Sequence, residues 1–292
     1  MQTRPLGPGA PAVSVVGLGG MPLSTPGRPD EATALRVIHA ALDAGMTLLD
    51  TANAYCAGAD DVGHNERLLA KALRTWGGRR DAVIVATKGG ITRPDAATWG
   101  QDGRPAALKA ACEASLRALG TDCIQLYQFH RPDPTVPFAE SVGAFADLRR
   151  DGKVRWVGLS NVSVAQIEEA AAIVPVVTVQ NRLNPFFREA LETGVVAHCD
   201  AAGIGFLAYS PVGGGRLNRK LPELRVLEPI ARAHGATPHA VVLAWVLAQG
   251  KSVILIPGAR TVAHAEDSAR SAGLELTDAE LAAISAAEFD RS

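Results

Sequence analysis

The chain has 292 residues, with 29 basic against 30 acidic side chains and a net charge of -1. That near-balance gives no electrostatic reason to expect nucleic acid or an anionic membrane as a partner. Hydrophobic residues make up 47% and charged residues 20%, which suits a folded chain with a sizeable core, long enough for two ordinary domains or one large α/β barrel.

Short β-branched runs recur along the chain, each followed by a polar or Gly-rich loop and then an Ala/Leu-rich stretch. The spacing predicts strands at 13–19, 47–51, 82–88, 124–130, 154–160, 176–180, 205–210 and 252–257. Between them, apolar residues at three- and four-residue intervals predict helices. One is "DEATALRVIHAALDAG" with Asp30 as N-cap, and another is "PFAESVGAFADLRRDG" closed by Gly152. His64, Asn65 and Glu66 in "GHNE" open a further helix, with Glu66 available to anchor a nearby loop. Several strands are nearly all apolar, the mark of a parallel sheet covered on both faces. Eight strands alternating with helices predict the α/β class and a (β/α)8 TIM barrel, with residues 1–292 as a single domain. A doubly wound nucleotide-binding sheet fits less well. "GLGGMP" at 17–22 lacks the third Gly of a phosphate fingerprint, and no helix opens until about residue 30.

The four cysteines, Cys56, Cys112, Cys123 and Cys199, are scattered and form no C-x-x-C pair. Reduced thiols and no metal site are therefore expected. The N-terminus "MQTRPLGPGAPAVSVV" lacks the features of a signal peptide, and no apolar run approaches the roughly 20 residues of a membrane helix. A cytoplasmic protein without a membrane partner is the expectation. "RLNRK" at 216–220 is the most basic cluster, short enough to be a plain loop or to hold a small phosphate-bearing ligand.

In a barrel of this kind the chemistry sits at the C-terminal ends of the strands. Asp50, Lys88 and His130 end strands two, three and four, and Tyr55 lies just beyond the second. Each alone reads as a structural residue. Together, an Asp and a Lys delivered to one apolar rim must pair. A Lys beside a Tyr favours phenolate and draws the phenol down from about 10 toward operating pH, so that Tyr55 can donate a proton. A neighbouring His can hydrogen-bond a carbonyl. That set suits protonating a carbonyl oxygen as it becomes an alcohol. No side chain supplies hydride, so a nicotinamide must. Ser160, Asn161 and Gln180 end the next strands with groups suited to a carboxamide, although Ser160 and Asn161 also fit a helix cap. Tyr209 offers a stacking face. The run Ser210, Pro211, Val212, Gly213 and Gly214 leaves backbone N–H groups for a pyrophosphate, and Arg260 stands where a ribose phosphate would sit.

Taken together, "GLGGMPLS", "LLDTANAY", "GHNERLLAKAL", "VIVATKGG", "CEASLRALGTDCIQLYQFHRPD", "GKVRWVGLSN", "VQNRLNP", "LAYSPVGGG" and "IPGARTVAHAEDS" resemble the aldo-keto reductase superfamily over nearly the whole chain. The resemblance implies a TIM barrel that binds NADP(H) without a Rossmann domain and reduces an aldehyde or ketone, a small-molecule carbonyl substrate. Its tetrad falls on Asp50, Tyr55, Lys88 and His130, with Tyr55 as general acid. Ser160, Asn161 and Gln180 would meet the carboxamide, Tyr209 the nicotinamide ring, and residues 210–214 the pyrophosphate. Arg260, His264, Glu266 and Asp267 would meet the adenosine end. Gly258 stands where many members have Lys, His264 where Arg is best known and Ser268 where Asn is common. The ribose phosphate is thus left to Arg260, and NAD(H) stays open beside NADP(H). Met21, Cys56 and Trp99 are the candidate pocket wall. Cys56 reads equally as a buried filler, and Trp99 as a lid folded over the rim. Alternatives are a dehydrogenase of the same fold oxidising a sugar or alcohol, and a non-catalytic cofactor-sensing subunit. The oligomeric state stays open.

Overall fold

The apolar runs form strands close to the expected places in a computed structural model that describes residues 1–291. β1 (Thr3–Pro5) and β2 (Ala12–Ser14) make an antiparallel hairpin. β3 (Leu18–Gly19), β4 (Leu48–Asp50) and β5 (Ile84–Gly89) follow, and then a small hairpin of β6 (Ile91–Thr92) and β7 (Gly100–Gln101). The remaining strands are β8 (Ile124–Phe129), β9 (Val154–Ser160), β10 (Val176–Arg182), β11 (Gly205–Tyr209) and β12 (Val253–Ile256). The order β12-β11-β10-β9-β8-β5-β4-β3 is parallel throughout. Backbone bonds from Gly17 to Leu255 O (2.8 Å), Gly19 to Pro257 O (2.9 Å) and Leu255 to Val15 O (2.9 Å) close the last strand on the first. The result is the (β/α)8 barrel.

The helices in chain order are α1 (Glu31–Asp43), α2 (His64–Thr75), α3 (Pro105–Leu119), α4 (Phe138–Arg150), α5 (Val164–Ala171) and α6 (Glu189–Glu192). They continue with α7 (Val195–Ala202), α8 (Gly214–Leu217), α9 (Leu227–Ala233), α10 (Pro238–Leu247), α11 (Val262–Arg270) and α12 (Asp278–Ala286). Asp30 caps α1 by accepting the Thr33 N–H at 2.9 Å, and Gly152 takes the left-handed turn after α4 (φ +75°). No described helix is long and apolar enough to cross a membrane.

The first expected strand, 13–19, is divided. Ser14 and Thr47 exchange two bonds of 2.8 Å between backbone N–H and side-chain hydroxyl. These replace ladder bonds between the chain segments. Val13 instead joins Leu6 at the floor of the barrel.

Alternation along the strands explains the location of the site. Inward residues low in the lumen are apolar, among them Leu48, Ile84, Ala86, Leu126, Trp156, Leu207 and Ile254. One or two inward steps further along, the same strands present Asp50, Lys88, Gln128, Ser160, Gln180 and Tyr209. The residues between face the helices and build the larger core. Six of the eight barrel strands thus carry a polar head, and the six heads point to one mouth.

Candidate active site

Lys88 stands at the centre, fully buried. Its ammonium makes three bonds, to Asp50 Oδ2 at 2.6 Å, to the Thr51 carbonyl at 2.9 Å and to the Tyr55 hydroxyl oxygen at 3.1 Å. An ammonium has three donors, so none is left over. Asp50 is held on its other oxygen by Gln180 Nε2 at 2.8 Å and more distantly by Gln128 Nε2 at 3.4 Å. The ring of His130 meets Tyr55 edge to face, with centroids 5.7 Å apart. β4, β5 and β8 therefore bring Asp50, Tyr55, Lys88 and His130 into one cluster. Because the Tyr55 oxygen accepts from Lys88, its own O–H proton is not needed for that bond.

The electrostatics differ from expectation at Tyr55. Burial raises its phenol above the ordinary value, and the opposing pull of Lys88 does not overcome it. The group is thus a neutral phenol near neutral pH, the form an acid needs, with an ammonium already in place for the phenolate. Burial depresses Lys88, but Asp50 above all and then Tyr55 outweigh it and hold the ammonium above its usual range. Burial, with Lys88 and Arg131 nearby, pushes His130 well below the ordinary imidazole value, so it is a neutral ring. Its Nδ1 is buried with no partner among the described residues.

β9 to β12 carry the second group. Ser160 and Asn161 are not spent on capping, since Ser163 caps α5 with a complete capping box through Gln166. Ser160 Oγ donates to the Gln180 carbonyl at 2.7 Å. Asn161 holds a left-handed backbone (φ +58°); its amide nitrogen donates to the His130 carbonyl at 3.0 Å, and its oxygen accepts from Tyr209 at 2.8 Å. Gln180, expected at a carboxamide, donates its amide nitrogen to Asp50 at 2.8 Å and so also supports the tetrad. After β11, Ser210 (φ +49°), Gly213 (φ +90°) and Gly214 (φ +76°) take left-handed conformations around Pro211 and Val212. A Cβ on Gly213 would lie 2.9 Å from Leu217 Cβ and 3.1 Å from the Phe186 ring.

Arg260 lies at the rim beyond β12. It is exposed, its Nε donates to the Pro22 carbonyl at 3.4 Å, and it pairs with no carboxylate among the described residues. Gly258 can carry no lysine, because its Cβ would meet the Pro22 ring at 2.5 Å. His264 is exposed on the first turn of α11. Asp267 accepts from Thr237 Oγ1 at 2.7 Å and from Arg270 at 3.2 Å. Glu266 is placed elsewhere: it lines a groove with Met1, Gln2 and Ala44 at the far end of α1, toward the floor of the barrel.

Of the expected pocket wall, Met21 and Trp99 are exposed at 42% and 45%. Trp99 stacks on the Arg93 guanidinium, 3.9 Å from its ring centre. Cys56 has no exposed surface, and its thiol meets the carbonyls of Ala54 and Gly58. It is the small filler, not part of the wall. Basic residues of 216–220 are tied into the tail instead, with Arg216 donating to the Arg291 carbonyl at 2.5 Å. Sequence reasoning missed Thr51, Gln128 and Arg93. Gln128 carried a usable signal, a polar residue two places before His130 and so on the same face of the strand.

Comparison with known proteins agrees with this geometry. The model of the aldo/keto reductase family matches residues 15–288. Aldo-keto reductase str7 of Strobilurus tenacellus is 35% identical over 279 residues, covering 85% of this chain and 79% of the relative. A glycerol dehydrogenase structure from Gluconobacter oxydans superposes with a TM-score of 0.83 at 30% identity, over 97% of this chain and 93% of the other. An aldo-keto reductase from Klebsiella pneumoniae, solved in complex with NADPH, gives 0.79 at 28% identity, over 97% and 94%. The barrel, the clustered strand ends and these matches together make this chain a member of the aldo/keto reductase family.

Proposed function

We propose that the chain is an NADP(H)-dependent oxidoreductase that reduces an aldehyde or ketone to an alcohol, with Tyr55 as general acid. The observation that carries this reading is the bonding of Lys88. With all three donors engaged by Asp50, Thr51 and Tyr55, it leaves the Tyr55 proton free for a carbonyl oxygen and stabilises the phenolate left behind. Neutral His130 orients that oxygen from the adjacent wall. Asp50, supported by Gln180 and Gln128, keeps Lys88 charged and in place.

When bound, the nicotinamide supplies hydride to the carbonyl carbon, and the proton from Tyr55 completes the alcohol. The chain has groups that fit such a cofactor: Ser160, Asn161 and Gln180 at the carboxamide, Tyr209 against the ring and the left-handed segment 210–214 at the pyrophosphate. Arg260, paired with no carboxylate among the described residues, suits the ribose phosphate that distinguishes NADP from NAD, with exposed His264 nearby. The relative solved with NADPH supports the same assignment. Met21 and Trp99 border the substrate side.

The reverse reaction, alcohol oxidation, uses the same groups with Tyr55 phenolate as base, and the likeness to a glycerol dehydrogenase favours carrying it as the second reading. The test is NADPH consumption with 4-nitrobenzaldehyde, and NADP+ reduction with alcohols and sugars, by wild type and Tyr55→Phe. Turnover that falls by roughly 100-fold or more in Tyr55→Phe, with cofactor binding unchanged, supports the acid–base role. Equal rates in the two proteins refute it.

A further inference from the structure

Four buried polar side chains outside the tetrad meet at the first turn of α2: Thr51, Asn65, Glu66 and Thr87, none with exposed surface. Buried amides are costly unless their bonds are made, so the partners of Asn65 show what it holds. Asn65 Oδ1 accepts from Thr51 Oγ1 at 2.6 Å, and its Nδ2 donates to the Gly20 carbonyl at 2.8 Å and to Ser24 Oγ at 2.7 Å. Both ends of this link touch the tetrad. The Gly20 N–H donates to the Asp50 carbonyl at 2.8 Å, and the Thr51 carbonyl is one of the three acceptors of Lys88. Glu66, which the sequence suggested as a loop anchor, grips a strand instead. Its Oε1 accepts from Thr87 Oγ1 at 2.5 Å, and Thr87 immediately precedes Lys88. Successive strand residues face opposite sides, so Glu66 holds β5 from the helix side at the step where Lys88 enters the lumen. The fit is close. A Cβ on Gly20 would lie 2.3 Å from Asn65 Oδ1, and Gly63, which starts α2 with φ +78°, is tied to the Asn53 carbonyl at 2.8 Å.

We propose that Asn65 and Glu66 are positioning residues for Lys88, Asn65 acting through the Thr51 carbonyl and Glu66 through Thr87. The three donors of Lys88 diverge in fixed directions, and the bond to Asp50 is the shortest and charge-assisted. When the Thr51 carbonyl or the β5 backbone slackens, the ammonium settles on Asp50 and its hold on Tyr55 weakens. The Tyr55 phenolate then loses its cation, and Tyr55 ionises at higher pH. The kinetic part of this inference rests on the carbonyl-reductase reading; the ionisation of Tyr55 does not.

The chain has 3 tyrosines, so NMR of ring-labelled tyrosine gives a short spectrum in which the resonance lost in Tyr55→Phe is Tyr55. Alkaline titration of that resonance is followed in Thr51→Val, Asn65→Ala, Glu66→Leu and Glu66→Gln. Thr51→Val keeps shape and carbonyl while deleting the donor to Asn65, which covers the case in which Asn65→Ala fails to fold. Tyr55 should titrate at higher pH in Thr51→Val, Asn65→Ala and Glu66→Leu. It should be restored in Glu66→Gln, whose amide oxygen still accepts from Thr87. In the aldehyde assay kcat should fall roughly 10- to 100-fold in the first three, with KM changed by no more than about threefold. In the alcohol direction the rise of rate with pH should move to higher pH. Folded Thr51→Val, Asn65→Ala and Glu66→Leu proteins whose Tyr55 titrates as in wild type would overturn the proposal and leave the turn a scaffold only. Absence of turnover in wild type would instead defeat the carbonyl-reductase reading, with the titration still deciding the positioning.

Discussion

The two halves of the mouth are built differently. On β4, β5 and β8 the polar groups are buried, with each donor of Lys88 assigned. On β9 to β12 and their loops, Arg260 and His264 are exposed, and Tyr209 and residues 212–214 are half-buried. Ser160, Gln180 and Pro211 on the second side are closed in, and of these Gln180 bonds toward the first, through Asp50. The contrast follows from charge and solvent. A buried ammonium and carboxylate persist only if fully bonded, so the half that holds Lys88 and Asp50 must be assembled by folding. Groups that meet a large anionic ligand keep their solvation until it arrives.

The largest way to break this contrast is Lys88→Met, which leaves Asp50 buried without its cation. It should cost about 3–5 kcal/mol by urea unfolding, and adding Asp50→Asn should recover part of that loss. Stability unchanged by Lys88→Met would mean that the pair is not desolvated as the burial implies. On the open side, Arg260→Ala should weaken NADPH binding about tenfold, or ~1.4 kcal/mol, leave NADH binding unchanged and leave Tm nearly so. Equal losses for the two cofactors, read by fluorescence titration, would remove the phosphate role. A third measurement uses His130, whose folded value is depressed by burial. Below an ordinary imidazole value of about 6.5, the unfolded chain binds a proton that the folded chain refuses. Stability therefore falls as pH falls through that window, and His130→Gln should flatten the dependence by at most about 1.4 kcal/mol per pH unit. An unaltered slope would show that His130 is not the group responsible. The smallest effect serves as control: Ser163→Ala removes the cap of α5, outside both halves, and should cost about 1 kcal/mol without changing kcat or cofactor affinity. A change in either would tie the cap to the site.

Much of this was legible along the chain because it depends on alternation and on strand ends. The eight strands, the Asp30 cap and the delivery of Asp50, Lys88 and His130 to one rim follow from apolar periodicity and from the rule that parallel barrels place polar heads at one face. Less visible was how each polar group is spent. Cys56 and Glu266 are ordinary in sequence, yet one is turned under its own loop and the other carried to the floor side of α11. Gln180 was expected at a ligand and is bonded to Asp50. The first strand is divided, with Ala12–Ser14 paired in a hairpin with Thr3–Pro5.

By itself the sequence determined the barrel and the four residue types at its mouth, since burial of alternate side chains acts locally and repeats along the chain. Only the tertiary structure decided the direction of the Tyr55 shift, the three acceptors of Lys88 and the grip of α2 on β4 and β5. Desolvation and hydrogen-bond geometry depend on residues far apart in the chain, and they take values only when those residues are packed together.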